Sequence, residues 1–222
     1  MSTFHSQPEI VPMFRLFQVN RDRTAFRNAV RRRYRRGTLL RLLKAPDAEA
    51  RCAALAAIGE TCRFRATMPV SNLLRDKDRR VRWMAKRTVR RLRFRVGTPQ
   101  QRQMLRQIRF CNRDELFWRA YELASTLTTE APEIAETWMQ RALALMGLAT
   151  IGQQVSFTEI ADCIFQTMCR NPHHFEAVLC LGSLHALEGD TGDSRKARQL
   201  YRRSLRIYPR YRLAVLALKE LG

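Results

Sequence analysis

Apolar residues recur at spacings of three and four along almost all of the 222 positions, and strict alternation is rare. Side chains three and four apart share one face of a helix, so this period predicts an all-α chain. Over 78–94 the stripe is Val81, Ala85, Thr88, Val89 and Leu92, with Met84 at its edge. The longest apolar run, "ALALMGLATI" at 142–151, is too short to span a bilayer. No integral membrane association is expected.

The pattern also repeats. "LLKAPDAEARCAALAAIG" (42–59) aligns with "LLRDKDRRVRWMAKRTVR" (73–90) at an offset of 31 residues. Leu42 and Leu43 fall on Leu73 and Leu74, Asp47 on Asp78, Arg51 on Arg82, Ala54 on Ala85 and Ile58 on Val89. Each copy predicts a short helix, an Asp-marked turn and a longer helix. Asp47 and Asp78 suit N-caps, where a short carboxylate accepts the first free backbone N–H groups. Over about 37–95 these residues resemble the HEAT family in its short bacterial form. A basic helix at about 22–36 is expected to pack in front as a cap, while 1–21 reads as an N-terminal segment without clear organisation.

The second half has another grammar. Ala120, Ala124 and Pro132, then Ile160, Ile164 and Pro172, then Ala197, Tyr201 and Pro209 repeat spacings of 4 and 8. Trp138 and Ala142, and Val178 and Gly182, lie four apart on the helices before them. A small residue lets two helices cross closely, and Pro stops the second one. These positions resemble three tetratricopeptide repeats, at about 101–134, 135–174 and 175–211, followed by a capping helix at 212–221. The surplus length of the last two repeats falls near "TIGQQVSF" and "EGDTGDS". Gly97 and Pro99 mark a junction, dividing the chain into 22–96 and 97–222. As a whole it resembles uncharacterised bacterial proteins that join HEAT-like to tetratricopeptide repeats. That resemblance implies an α-solenoid of helical hairpins and a tendency to bind partners, and no reaction.

Charge changes the picture because it is sorted. The chain carries +21 overall, but residues 1–98 carry +18, residues 114–193 carry −9 and residues 194–222 carry +8. A field of this kind favours polyanions. On the second HEAT-like helix, Arg79, Arg82, Lys86, Arg90 and Arg93 step by three and four, with Arg80, Arg87 and Arg91 flanking. The first HEAT-like unit holds Ala48, Glu49, Leu55, Ala56 and Gly59 where the second has Arg79, Arg80, Lys86, Arg87 and Arg90. A second cluster sets Arg31, Arg32, Arg33, Arg35 and Arg36 around Tyr34, which reads as a core anchor or a stacking side chain. Arg forks suit phosphate, so RNA, DNA or the ribosome are the expected partners of this half. An acidic protein is the alternative.

The groove of the tetratricopeptide half is the expected protein-binding site. Its first-helix positions include Arg102, Arg109, Asn112 and Arg113 in one repeat and Met139, Leu143 and Met146 in the next, a basic end running into an apolar floor. Where co-chaperone members of that family hold a C-terminal carboxylate, this chain has Leu105, Arg109 and Gln140, which speaks against that ligand. No Gly-rich phosphate loop, Cys-x-x-Cys pair or nucleophile with a nearby base occurs, so no catalytic residue, metal site or cofactor is expected. The six cysteines read as small buried residues in a reducing cytoplasm. His173 and His174, in "NPHH", read as a solvated turn, and His185 as a half-buried packing residue.

Overall fold

The computed structural model describes residues 8–187 and 193–222. His5 and most of the expected "EGDTGDS" turn lie outside the described residues. Among the described residues there are α-helices, short 3-10 turns and no strand. The chain forms two compact units, one ending at Arg95 and the other beginning at Val96.

The first unit holds α1 (Ile10–Asn20), α2 (Arg23–Arg33), α3 (Arg36–Leu42), α4 (Ala48–Thr61), α5 (Thr67–Ser71) and α6 (Arg79–Arg93). Each long helix of the repeat begins at its Asp. Asp47 accepts from Ala50 N–H at 2.8 Å, and Asp78 from Arg80 N–H at 2.7 Å. Asp22 caps α2 in the same way. The centre of the unit is α4, where every residue from Ala50 to Glu60 is buried. It is enclosed because α1, α2, α3 and α6 all pack on it. The segment before residue 22 is therefore a helix, α1, whose Ile10, Val11 and Phe14 are buried and whose Phe17 stacks on Phe26 of α2.

The second unit holds three antiparallel hairpins and a final helix. They are α7 (Pro99–Arg113) with α8 (Phe117–Glu130), α9 (Ala135–Thr150) with α10 (Phe157–Arg170), α11 (Phe175–Leu187) with α12 (Ser194–Ile207), and then α13 (Arg212–Glu220). Gly97 has a left-handed φ of 73°, Thr98 and Gln101 form a reciprocal capping box, and Pro99 opens α7. The turn after each hairpin is built alike. Ile134, His174 and Tyr211 donate their backbone N–H to Ala131, Asn171 and Tyr208 at 3.1, 3.0 and 3.1 Å. Close crossings occur where small residues allow them. A Cβ on Gly182 would stand 2.7 Å from the ring of buried Tyr201, and one on Gly147 would overlap Phe117.

Candidate functional site

The cations of α6 do not share one face. Arg79, Arg80, Arg87 and Arg90 are exposed, and Lys86 is half-buried. Arg82, read from the sequence as one of the phosphate-binding cations, is 8% exposed. Its Nη1 donates to the carbonyls of Asp76 and Lys77 at 2.7 Å each. Arg51 donates to the carbonyls of Ala45 and Pro46 at 2.8 Å each, at the equivalent place one repeat earlier. Both side chains therefore tie down the turn that precedes their helix. Arg51 also forks onto Asp76 at 2.8 and 2.9 Å, joining the two repeats. Arg93 is buried as well.

Arg91 likewise serves the fold. It donates through both Nη atoms to buried Glu60, at 2.7 Å from Nη2. Glu60 and Arg91 are 31 residues apart, so they are equivalent positions of adjacent repeats, brought together by stacking. Arg23 of α2 and Arg95 also approach Glu60, at 3.9 and 4.0 Å. Glu60 of α4 is thus approached by arginines from both α2 and α6. Burial holds the Arg95 guanidinium below its ordinary pKa, with neighbouring Arg91 acting in the same direction.

From the second cluster, Arg31, Arg32, Arg33, Arg35 and Arg36 are all exposed. Arg33 lies 3.8 Å from Glu9, and Arg36 donates to the carbonyl of Arg65 at 3.3 Å. Tyr34 is half-buried beside the start of α1, and burial pushes its phenol up.

A cleft of about 480 Å³ opens beside the N-terminal half of α6. It is lined by Phe14 and Gln18 of α1, Glu49 and Cys52 of α4, and Arg79, Arg80, Trp83 and Met84 of α6. Trp83 is 53% exposed, and the Arg87 guanidinium lies over its ring, 4.5 Å from the centroid. Glu49 is gripped by Arg15 through two hydrogen bonds of 2.6 Å, which hold its carboxyl below its ordinary value. Burial pushes the Cys52 thiol up to about 11, so it is a neutral wall of the cleft at neutral pH. The sequence pointed to the helix but not to this cleft, because α1 was not legible as one of its walls.

In the second unit the expected groove residues separate. Arg109 and Arg113 are exposed, Arg113 pairing with Asp114 and covering the Phe110 ring at 4.4 Å. Leu143 and Met146 are half-buried against the core, and Arg102 is tied to the Gly97 carbonyl. Met139 is 3% exposed and belongs to that core, so it is no part of an open floor. Asn112 is engaged inside, where its Nδ2 donates to the Gln140 carbonyl at 2.8 Å and to its Oε1 at 3.1 Å.

Asn112 begins a polar chain that crosses all three hairpins. Gln140 Nε2 donates to Glu136 Oε1 at 2.9 Å, and Glu136 Oε2 lies 3.3 Å from His174 Nε2. His174 Nδ1 accepts from Ala177 N–H at 3.1 Å, which places the ring proton on Nε2. His174 is 1% exposed, so the reading of "NPHH" as a solvated turn is corrected at this residue. Its position is that of Ile134 and Tyr211, both buried, in the neighbouring turns. Among the described residues no group of three or more His, Cys, Asp or Glu is clustered to hold a metal, and no helix is long and apolar enough to cross a membrane.

Fold and site together define an all-α protein of stacked helical-hairpin repeats. The HEAT repeat family model matches residues 37–128. That match runs past Gly97 through α7 and most of α8, so the first hairpin of the second unit also satisfies the HEAT pattern. The crystal structure of YrrB, "a TPR protein with an unusual peptide-binding site", aligns at 16% identity with a TM-score of 0.45, covering 93% of this chain and 97% of that one. No curated protein matches the chain.

Proposed function

We propose that this protein is a non-enzymatic scaffold that holds nucleic acid through its first unit and a protein segment through its second. The observation that supports the first half is how the unit spends its negative charge. Its seven carboxylates are Glu9, Asp22, Asp47, Glu49, Glu60, Asp76 and Asp78. Asp22, Asp47 and Asp78 cap helices, while Glu49, Glu60 and Asp76 are forked onto Arg15, Arg91 and Arg51. Glu9 stands near Arg33. The unit carries 25 Lys and Arg, so its exposed Arg31, Arg32, Arg35, Arg79 and Arg87 need counter-charge from elsewhere. A phosphate backbone supplies it in a repeating form that Arg forks suit. In the second unit, the expected groove positions that stay at the surface are exposed Arg109 and Arg113 and half-buried Leu143 and Met146, residue types that suit a segment with an acidic end and an apolar body.

Purifying the chain from cells with and without nuclease tests this reading. The expected result is co-purified RNA or DNA, seen as excess absorbance at 260 nm, that nuclease or high salt removes. Material free of nucleic acid, with an acidic protein retained after nuclease, would instead favour a scaffold whose basic face meets protein alone.

A further inference from the structure

We infer that the cleft at Trp83 takes an unpaired base of a single-stranded nucleic acid. Trp83 stacks on the base, and Arg79 and Arg80 engage the adjoining phosphates. The inference rests on the nucleic-acid reading of the first unit and narrows it to a class of ligand.

Three observations carry it. The first is Trp83 itself. Its equivalent in α4, 31 residues earlier, is Cys52, which is buried. In α6 the same position bears the largest apolar side chain of the helix and leaves half of it in water. One exposed apolar residue needs no explanation. This one lines a cleft and is held in place by the Arg87 guanidinium on its ring.

The second is the make-up of the cleft. Phe14, neutral Cys52 and Met84 give it an apolar lining, and Arg79 and Arg80 are exposed on the same cleft. Its volume of about 480 Å³ falls in the range of about 300–1,000 Å³ usual for small-molecule sites. A flat aromatic group with a phosphate attached matches both parts. Stacking on an aromatic side chain beside a basic track is the general way single strands are held, and any base has a face to offer.

The third is Glu49. It is the one carboxylate in the cleft lining, and Arg15 fixes its position through two hydrogen bonds of 2.6 Å. A site for phosphate alone gains nothing from an anion at its wall. A base gains an acceptor for its ring or exocyclic N–H, as Glu and Asp serve cytosine amines. A duplex keeps its base faces stacked and paired, so it cannot use Trp83 in this way.

The test is fluorescence anisotropy with the full chain and a labelled 16-nucleotide single strand, in RNA and DNA versions, against the duplex of the same sequence at equal salt. The single strand is expected to bind about 10-fold or more tighter than the duplex. Trp83→Ala is expected to weaken single-strand binding by about 5- to 100-fold and leave duplex binding unchanged. Trp83→Phe, which keeps a stacking face, is expected to stay within about 3-fold of wild type. Circular dichroism checks that both variants keep their helices. Equal single-strand binding by Trp83→Ala and wild type, or a duplex bound as tightly as the single strand, overturns the assignment. If the double variant Arg79→Glu, Arg80→Glu still loses binding in that case, the wider nucleic-acid reading of the unit stands without it.

Discussion

Arg51 and Arg82 show how one residue type divides its work within a single helix. Each donates from its Nη1 to the two carbonyls of the turn before it, a point one bond beyond the reach of a lysine ammonium. Arg82→Lys should therefore destabilise the first unit by about 2 kcal/mol, the scale of charge-assisted hydrogen bonds lost in a buried place. Chemical denaturation would show this as a lower midpoint. Arg87→Lys, on the exposed side, should leave the midpoint within about 0.5 kcal/mol of wild type. The difference was legible in principle. Arg82 has an arginine as its counterpart in the sister repeat, whereas Arg79 and Arg87 face Ala48 and Ala56 in the alignment. The cation present in both repeats has a structural job, although Arg91 and Arg93, opposite Glu60 and Cys62 in the alignment, show that a cation present in one repeat can also be built into the fold. The pairing of Glu60 with Arg91 had a similar signal, since opposite charges stood 31 residues apart. His174 was missed because "NPHH" looks like a polar turn. Aligning Pro132, Pro172 and Pro209 shows that the second residue after each is Ile134, His174 and Tyr211, a buried position in all three.

At the scale of elements, α4 and α6 are sister helices in different surroundings. The sequence alone invites comparing their surfaces, Leu55 and Ala56 against Lys86 and Arg87. The structure shows that α4 has little surface, because α1 and α2 cover it. Its apolar positions reflect packing, and what sets the exposed cations of α6 apart is that the carboxylates of the unit are engaged elsewhere. The helix α1 was not read from the sequence, although Ile10, Phe14 and Phe17 have helical spacing, because its exposed positions include Leu16 and Val19 and blur the stripe. Its docking on α4 is tied by Arg15 and Glu49. The Glu49 carboxyl has a folded pKa below its unfolded one, so the stabilisation is present above the ordinary glutamate value of about 4.3 and is lost as pH falls through the depressed one. Acid unfolding of Glu49→Gln and wild type should converge at low pH and separate above about pH 5, where wild type is the more stable. The hairpins of the second unit were fully legible, because small residues and Pro stand at fixed places. Gly182→Ala tests that reading. The added Cβ meets a buried Tyr201 ring at 2.7 Å, and overpacking of about 1–3 kcal/mol should exceed the helix gain of about 1 kcal/mol. A thermal midpoint unchanged or raised would mean that the crossing is looser than it looks.

For the molecule as a whole, the separation of charge is the feature that any function must use. It was legible as numbers, +18 before residue 99 and −9 over 114–193. What the numbers lacked was which cations the fold consumes. Arg51, Arg82, Arg91 and Arg15 are taken up by carbonyls and carboxylates and Arg80 pairs with Asp78, while Arg31, Arg32, Arg35, Arg79 and Arg87 stand exposed. The expected protein groove shrank for the opposite reason. Met139 and Asn112 have the right spacing for its floor, yet one belongs to the core and the other to the polar chain. Spacing identifies a face, and only packing reveals what that face touches. The most direct test is the salt dependence of RNA binding by wild type and by Arg79→Glu, Arg80→Glu, Arg87→Glu combined. Each phosphate contact should contribute about −0.7 to −0.9 to the slope of log K against log salt. Wild type should bind with a slope steeper than about −3, and the triple variant should bind more weakly with a slope shallower by roughly 2. Affinity independent of salt, or a triple variant that binds like wild type, would contradict nucleic-acid binding by this unit.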